Sequence, residues 1–348
     1  MIPRALYCLV PLCLASSIFA LQAQVTKDSA AIGVSSLEEQ DYVAFKTEEE
    51  YLEVEPQLSG REVGSGSQRP CRQFATSVLQ TDETIKCLQI TRALDRALPR
   101  KFHRFDEFTY AHSNVAEGIH GVVRLHPVLR SIMNLIQWVF FQGQFLPWHR
   151  HFGFLYEKAL RECSYRGPFP YWDWTRDING SFPLFSRHCL TQLLALEEMG
   201  WDTGPFANTV FHVGPNRRLS DHCLNRNFGE FARSVLSQPF ISNIENQTTY
   251  NDYWNALDEP TTGDMASFYT SSNDPIFFLH HAGLDRLWWK WQQEDLENRL
   301  YQVGGRVNIS PPYGEVMLEY RLPFDIISSS IRIRNTMDPR LEPYCYTY

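Results

Sequence analysis

Two histidine-bearing stretches carry the chemistry this sequence can do. One is Phe145-Leu-Pro-Trp-His-Arg-His-Phe152, and the other runs Asn273-Asp-Pro-Ile-Phe-Phe-Leu-His-His-Ala-Gly-Leu-Asp285-Arg-Leu-Trp-Trp289. In the first, Pro147 stands just before Trp148 and His149. Phe152, Phe154, Leu155, Ala159 and Leu160 follow at helix-compatible spacing, with Glu157, Lys158 and Glu162 outside. Proline is tolerated at a helix start, where its missing N–H has no intrahelical partner to lose. His149 is therefore expected in the first helical turn, gripped by aromatic neighbours that can aim an imidazole rigidly at a metal. A lone histidine in an aromatic patch is more often a packed core residue than a ligand. The later block, with its His280-His281 doublet, shifts the balance toward a metal centre.

Together the two blocks resemble the copper signatures of the tyrosinase and catechol oxidase family, the type 3 copper proteins. The first matches the family's Phe-Leu-Pro-Trp-His-Arg with a Glu eight residues after the His, here Glu157, and the second matches Asp-Pro-x-Phe-x-x-His-His-x-x-x-Asp. The likeness runs from about Cys71 to Tyr348, includes Pro170-Tyr-Trp-Asp-Trp174 and Tyr344-Cys-Tyr346, and is nearest to the secreted tyrosinases of filamentous fungi. It implies a mainly α fold, a four-helix bundle with long loops and a few short strands, whose facing helices turn histidines inward. It also implies copper, two ions in the family. Carried over residue by residue, the ligands are His112, His120 and His149 for the first copper and His281 for the second. Three neutral imidazoles suit copper in both oxidation states and leave positions open for dioxygen. The implied activity is oxidation of small phenols and catechols to quinones with dioxygen, in pigment or secondary metabolism, with no catalytic side chain beyond the ligands. His280 is expected to be a neighbour rather than a ligand. His188, His212 and His222 lie in stretches that resemble non-ligand parts of the fungal proteins and are read as structural. Asp173 has two readings, orienting a ligand imidazole or capping an aromatic turn. Asp285 and Arg286 fall near the same helix face as His281, where a structural ion pair is the plain reading.

The chain departs from the family pattern twice. The family separates its second and third ligands by nine residues, whereas nine before His149 stands Phe140. Removing Gly121–Phe140 joins His120 to Phe141 and restores the spacing, so these twenty residues look inserted. Their apolar positions recur at helical spacing, which fits an inserted helix. Translated noncoding sequence is the preferred alternative, because both flanking motifs remain intact. Second, the family's His-x-x-x-His pair, which sets two imidazoles on one helix face, is missing before Gly263-Asp-Met265. Its slots fall on Trp254 and Asp258. One copper rather than two is therefore expected, and two rival readings stand beside the oxidase: a degenerate tyrosinase-like chain without oxidase activity, and a dioxygen carrier of the haemocyanin kind. Family members of this type also often crosslink their second histidine to a cysteine two residues earlier. Gly118 fills that slot, so no thioether is expected.

The rest of the chain must hold these residues in place. Its 348 residues can bury a substantial core. A net charge of −8 without basic runs argues against nucleic acid as a partner. Residues 1–23 read as a secretory signal peptide, with Arg4 ahead of an apolar run too short to span a membrane, so no membrane association is expected after its removal. Residues 24–70 are acidic and poor in aromatics, as in a flexible arm. Residues 71–348 form the copper-binding domain, with no lid domain expected after Tyr344-Cys-Tyr346. Cys71, Cys87, Cys163, Cys189, Cys223 and Cys345 remain after the signal, an even count that argues for disulfides without choosing the pairs. Sequons at Asn179, Asn246 and Asn308 fit a secreted glycoprotein. Helices are expected from Phe74 toward Leu98-Pro99 and from Tyr250, and strands around Val316–Tyr320 and Ile331–Ile333.

Overall fold

A computed structural model of the chain describes residues 72–73, 81–120, 143–173, 209–214, 217–224, 238–257, 267, 269–307 and 314–348. The expected signal segment and arm, His188, the block 121–140 and the stretch 258–266 lie outside the described residues. In chain order the elements are β1 (Arg72–Gln73), α1 (Thr81–Ile90), α2 (Arg104–His120), α3 (Phe145–Glu162), β2 (Val210–Phe211), β3 (His222–Cys223), α4 (Gln238–Glu245), α5 (Tyr250–Leu257), α6 (Ile276–Glu294), α7 (Leu296–Arg299), β4 (Arg321–Phe324), β5 (Ser328–Arg332) and β6 (Tyr346–Thr347). Single 3₁₀ turns sit at Ser271–Asn273 and Ile333–Thr336. The described residues belong to one compact unit, Ala44–Tyr348. The fold is mainly α, as the resemblance implied, and among the described residues the strands form three two-stranded pairs. No described helix is long and apolar enough to cross a membrane.

Helix α2 starts where Asp106 and Glu107 place negative charge against the helix N-terminus. The Asp106 carboxylate also accepts the His103 N–H at 2.7 Å, which satisfies a group the helix cannot pair internally. Its inward stripe holds Phe105, Phe108, Ala111, His112, Val115 and Ile119. Helix α3 begins two residues before Pro147, so the proline sits within the first turn, where an N–H has no partner anyway. His149 is consequently the fifth helical residue, one turn deeper than expected. Helix α6 is apolar nearly all round and is buried along most of its length. It packs on α3 through the Tyr156 and Phe278 rings, stacked at 3.5 Å and 5°. The fourth bundle helix is α5, whose Tyr250 and Tyr253 meet Trp288 and Trp291 at 6.2 and 5.2 Å.

The N- and C-terminal parts of the domain close on the bundle. β1 pairs in parallel with β6, Arg72 opposite Tyr346. A disulfide joins Cys87 of α1 to Cys163 at the end of α3, and Cys223 and Cys345 are disulfide-bonded as well. Trp148 is fully buried, stacks on Phe324 of β4 at 5.1 Å and donates its indole N–H to the Pro323 carbonyl at 2.7 Å. One expectation needs correcting. Val316–Tyr320 is not a strand: the Tyr320 N–H turns back to the Met317 carbonyl at 3.0 Å, and the Leu318 and Tyr320 carbonyls accept from Arg334 and Ile333. The strand forms one step later, in β4, where Leu322 and Phe324 face inward.

Candidate metal centre

Helices α2 and α3 bring His112, His120 and His149 together. Each offers a ring nitrogen, and the three nitrogens lie within 4.8 Å of one another. His112 and His120 leave the same helix eight residues apart, and their Nε2 atoms meet at 3.0 Å. The His149 ring stands 5.1 Å from His120 and 5.8 Å from His112, centroid to centroid.

The main chain sets how these rings point. The Nδ1–H of His149 donates to the Phe145 carbonyl one turn back at 2.9 Å. That bond leaves the lone pair on Nε2, a fully buried atom with no hydrogen-bond partner. His112 is turned the same way by the Tyr269 carbonyl, 3.4 Å from its Nδ1. Such outer hydrogen bonds fix tautomer and ring orientation in metal-binding histidines. Burial adds to the effect. Desolvation drives His112 down to about 4, and pushes His120 and His149 well below the usual imidazole range, with the neighbouring imidazoles adding to the shift. All three rings are therefore neutral at pH 7, the form a metal needs.

Aromatic packing holds the rings from the other sides. Phe145 lies 4.3 Å from His149 and 5.1 Å from His120, while Phe277 of α6 lies 5.1 Å from His112. His281 is placed beside this group rather than in it: its ring stacks on His149 at 3.9 Å and 6°. Its Nδ1 is buried without a hydrogen-bond partner, and desolvation first, then His149, holds its pKa well down. His280 turns instead toward Trp172, at 6.3 Å. Among the described residues His281 has no companion pair of imidazoles on its far side. The slots expected for that pair, Asp258 and the Trp254 side chain, lie outside the described residues.

Other candidates fall elsewhere. His222 accepts from Asn273 at 3.2 Å and pairs with the Ser220 carbonyl at 3.1 Å, holding the β2–β3 hairpin. Asp173 orients neither His112 nor His149, because main-chain carbonyls occupy those positions. Asp285 does not pair with Arg286, which instead covers the Tyr171 ring at 5.1 Å. Its partner is Arg150, whose Nε donates to it at 2.5 Å, and the hydroxyls of Tyr346 and Tyr348 donate to its other oxygen. Nothing in the sequence marks the orienting carbonyls of Phe145 and Tyr269. Main-chain acceptors leave no mark in side-chain spacing.

Facing helices that converge three neutral imidazoles, two of them buried and one half-buried, form a group that could hold a metal ion. Residues 103–294 match the family described as the common central domain of tyrosinase. The chain is 30% identical over 313 residues to tyrosinase P of Aspergillus terreus, an alignment covering 72% of this chain and 82% of that one. It is 28% identical to the tyrosinase-like protein phomQ1 of Diaporthe leptostromiformis, over 70% of this chain and 68% of the relative. A solved polyphenol oxidase of Thermothelomyces thermophila shares the fold, with a TM-score of 0.63, 23% identity and coverage of 80% of this chain and 88% of that one. The chain belongs to the tyrosinase family, and by that membership is a copper oxidoreductase of the tyrosinase type.

Proposed function

We propose that residues 71–348 bind copper through His112, His120 and His149, with His281 as the one further ligand toward a second copper, and oxidise small phenols or catechols with dioxygen. The observation that carries this reading is the convergence of one ring nitrogen from each of the three histidines within 4.8 Å, with the Nε2 of His149 buried and unpartnered. A buried polar atom without a partner costs about 1–3 kcal/mol, and a metal ion removes that cost. Copper, when bound, supplies the electron-accepting capacity that links a phenol to dioxygen. The chain's own contribution is to aim the lone pairs, keep the rings unprotonated and exclude water with Phe145, Phe277 and Trp148. The Nδ1–H bonds to Phe145 and Tyr269 hold the protons on the far side of two rings. The proton left between the Nε2 atoms of His112 and His120 must move when both turn to metal.

The protein is further read as secreted through residues 1–23, with residues 24–70 as an arm, and no nucleic-acid or membrane partner is proposed. The test is oxygen uptake and quinone absorbance from copper-loaded protein given a simple catechol. Uptake that disappears in His149→Ala supports the reading. A second reading is a tyrosinase-like chain that holds copper without oxidising anything. It is favoured by His281 standing without companion imidazoles among the described residues. Copper retained through His149 with no oxygen uptake would select it.

A further inference from the structure

The start of α2 carries a second group of donors that the copper reading leaves unused. His103, Asp106 and His212 each present a ligand atom, and the three atoms lie within 4.8 Å of one another. We propose that they bind one divalent cation of the zinc type, apart from the trihistidine group, which pins the β2–β3 hairpin to the beginning of α2.

Three observations support the site. Asp106 is buried, and its two oxygens accept the main-chain N–H groups of the other two residues, His103 at 2.7 Å and His212 at 3.3 Å. The carboxylate is thus oriented by both of its prospective partners. Desolvation raises its pKa, so ionising this carboxyl is costly where it sits and a bound cation would offset that cost. Second, His212 is buried and its Nδ1 meets the Asp221 carboxylate at 2.9 Å, while the Lys101 ammonium holds the same oxygen at 2.5 Å. A carboxylate on Nδ1–H leaves the lone pair on Nε2, the outer arrangement that supports metal-binding histidines. Third, His103 lies 5.3 Å from His212 between ring centroids and 3.5 Å from Asp106 through Nδ1, and its side chain is 36% exposed. It provides an entry path, and desolvation lowers its pKa, keeping it neutral. Helix capping by Asp106 and an ion pair at His212 explain those contacts singly, but not the convergence of all three donors. Two imidazoles and a carboxylate with one side toward water suit zinc with a solvent ligand.

The test is titration of the metal-free full chain with Co²⁺, read by its visible absorption and by bound metal per chain. The wild-type protein should take up one more equivalent than His103→Ala. Asp221→Asn, at a half-exposed surface position, should weaken that equivalent by about 10–100-fold. Equal uptake and equal affinity in wild type and His103→Ala would overturn the proposal, as would an Asp221→Asn variant that binds the same equivalent unchanged.

Discussion

Arg150→Met should lower stability more than any single loss of a surface ion pair, because it strands a buried charge beside the clustered histidines. The Arg150 side chain is wholly buried and that of Asp285 nearly so. Around the guanidinium stand the Asp285 carboxylate, the Thr336 and Met337 carbonyls at 3.0 and 2.6 Å, Gln292 at 3.2 Å and the face of Trp288 at 3.8 Å. Removing one partner of a buried pair costs about 3–5 kcal/mol, since the other charge keeps its desolvation penalty. Each kcal/mol moves the midpoint of a domain this long by about 2–4 °C, so thermal unfolding should shift down by roughly 6–20 °C. Removing both charges at once, Arg150→Met with Asp285→Leu, should recover part of the loss. Recovery should be incomplete, because Tyr346 and Tyr348 then lose their acceptor. The assay is thermal and denaturant unfolding of the three proteins, with copper content measured beside it. Arg150 follows His149 and Asp285 lies one helical turn past His281, so the single variant should also bind copper more weakly. A shift of under about 1 kcal/mol in Arg150→Met would refute the claim that this pair locks α3 to α6.

The remaining expectations concern the ligands and the transcript. His149→Ala should lose copper from the trihistidine group, whereas His222→Ala, which only braces the hairpin, should keep it; metal analysis of both checks the assignment. Metal-free protein should lose stability on acidification. His112 sits at about 4 when folded against about 6.5 unfolded, so the unfolded chain binds the extra proton. The stability it contributes is full above about 6.5 and falls as pH drops toward 4, by about 2 kcal/mol at pH 5 from this residue alone, measurable as a falling denaturant midpoint. Complementary DNA across both departures should lack codons for Gly121–Phe140 and should encode a His-x-x-x-His before Gly263; a transcript matching this sequence at both places would sink that expectation.

The helices, and the three histidines that the structure brings together, were legible in the sequence for a physical reason. Phe105, Phe108, His112 and Ile119 recur at helical spacing, the two motifs single out His149 and His281, and the family resemblance adds His112 and His120. Two features stayed hidden. The true start of α3 could not be read, because proline is acceptable anywhere in the first turn, so Pro147 marks that turn and not its first residue. Arg150 and Asp285 were equally opaque as a pair, since they lie 135 residues apart and only the packing of α3 on α6 joins them. Spacing within one helix suggested Arg286 for Asp285, and tertiary packing overrode it. The Val316–Tyr320 stretch misled for a related reason. Its alternation is real, but its carbonyls are taken by the Ile333 and Arg334 amides rather than by a neighbouring strand.

The two departures from the family pattern bear unequally on the site. The residues flanking the extra block are neighbours in space: the Gln144 side chain donates to the Gly118 carbonyl at 2.8 Å, and the His120 ring packs on Phe145 at 5.1 Å. Twenty-three residues intervene between His120 and Gln144 in sequence, yet the motif is closed as though few did. The two flanks of the added length therefore meet, and lengthening a connection by itself costs little, about 0.6 kcal/mol per doubling. Neither flank's histidine is displaced from the group of three. Loss of the second pair has no such remedy. On the proposed reading a missing ligand cannot be supplied by closing a loop, and His281 alone would give one nitrogen to a second copper. The half of the centre built by α2 and α3 thus tolerates what was added to it, while the half on α6 depends on what stands between Leu257 and Gly263. Whether this chain turns over phenols is decided there.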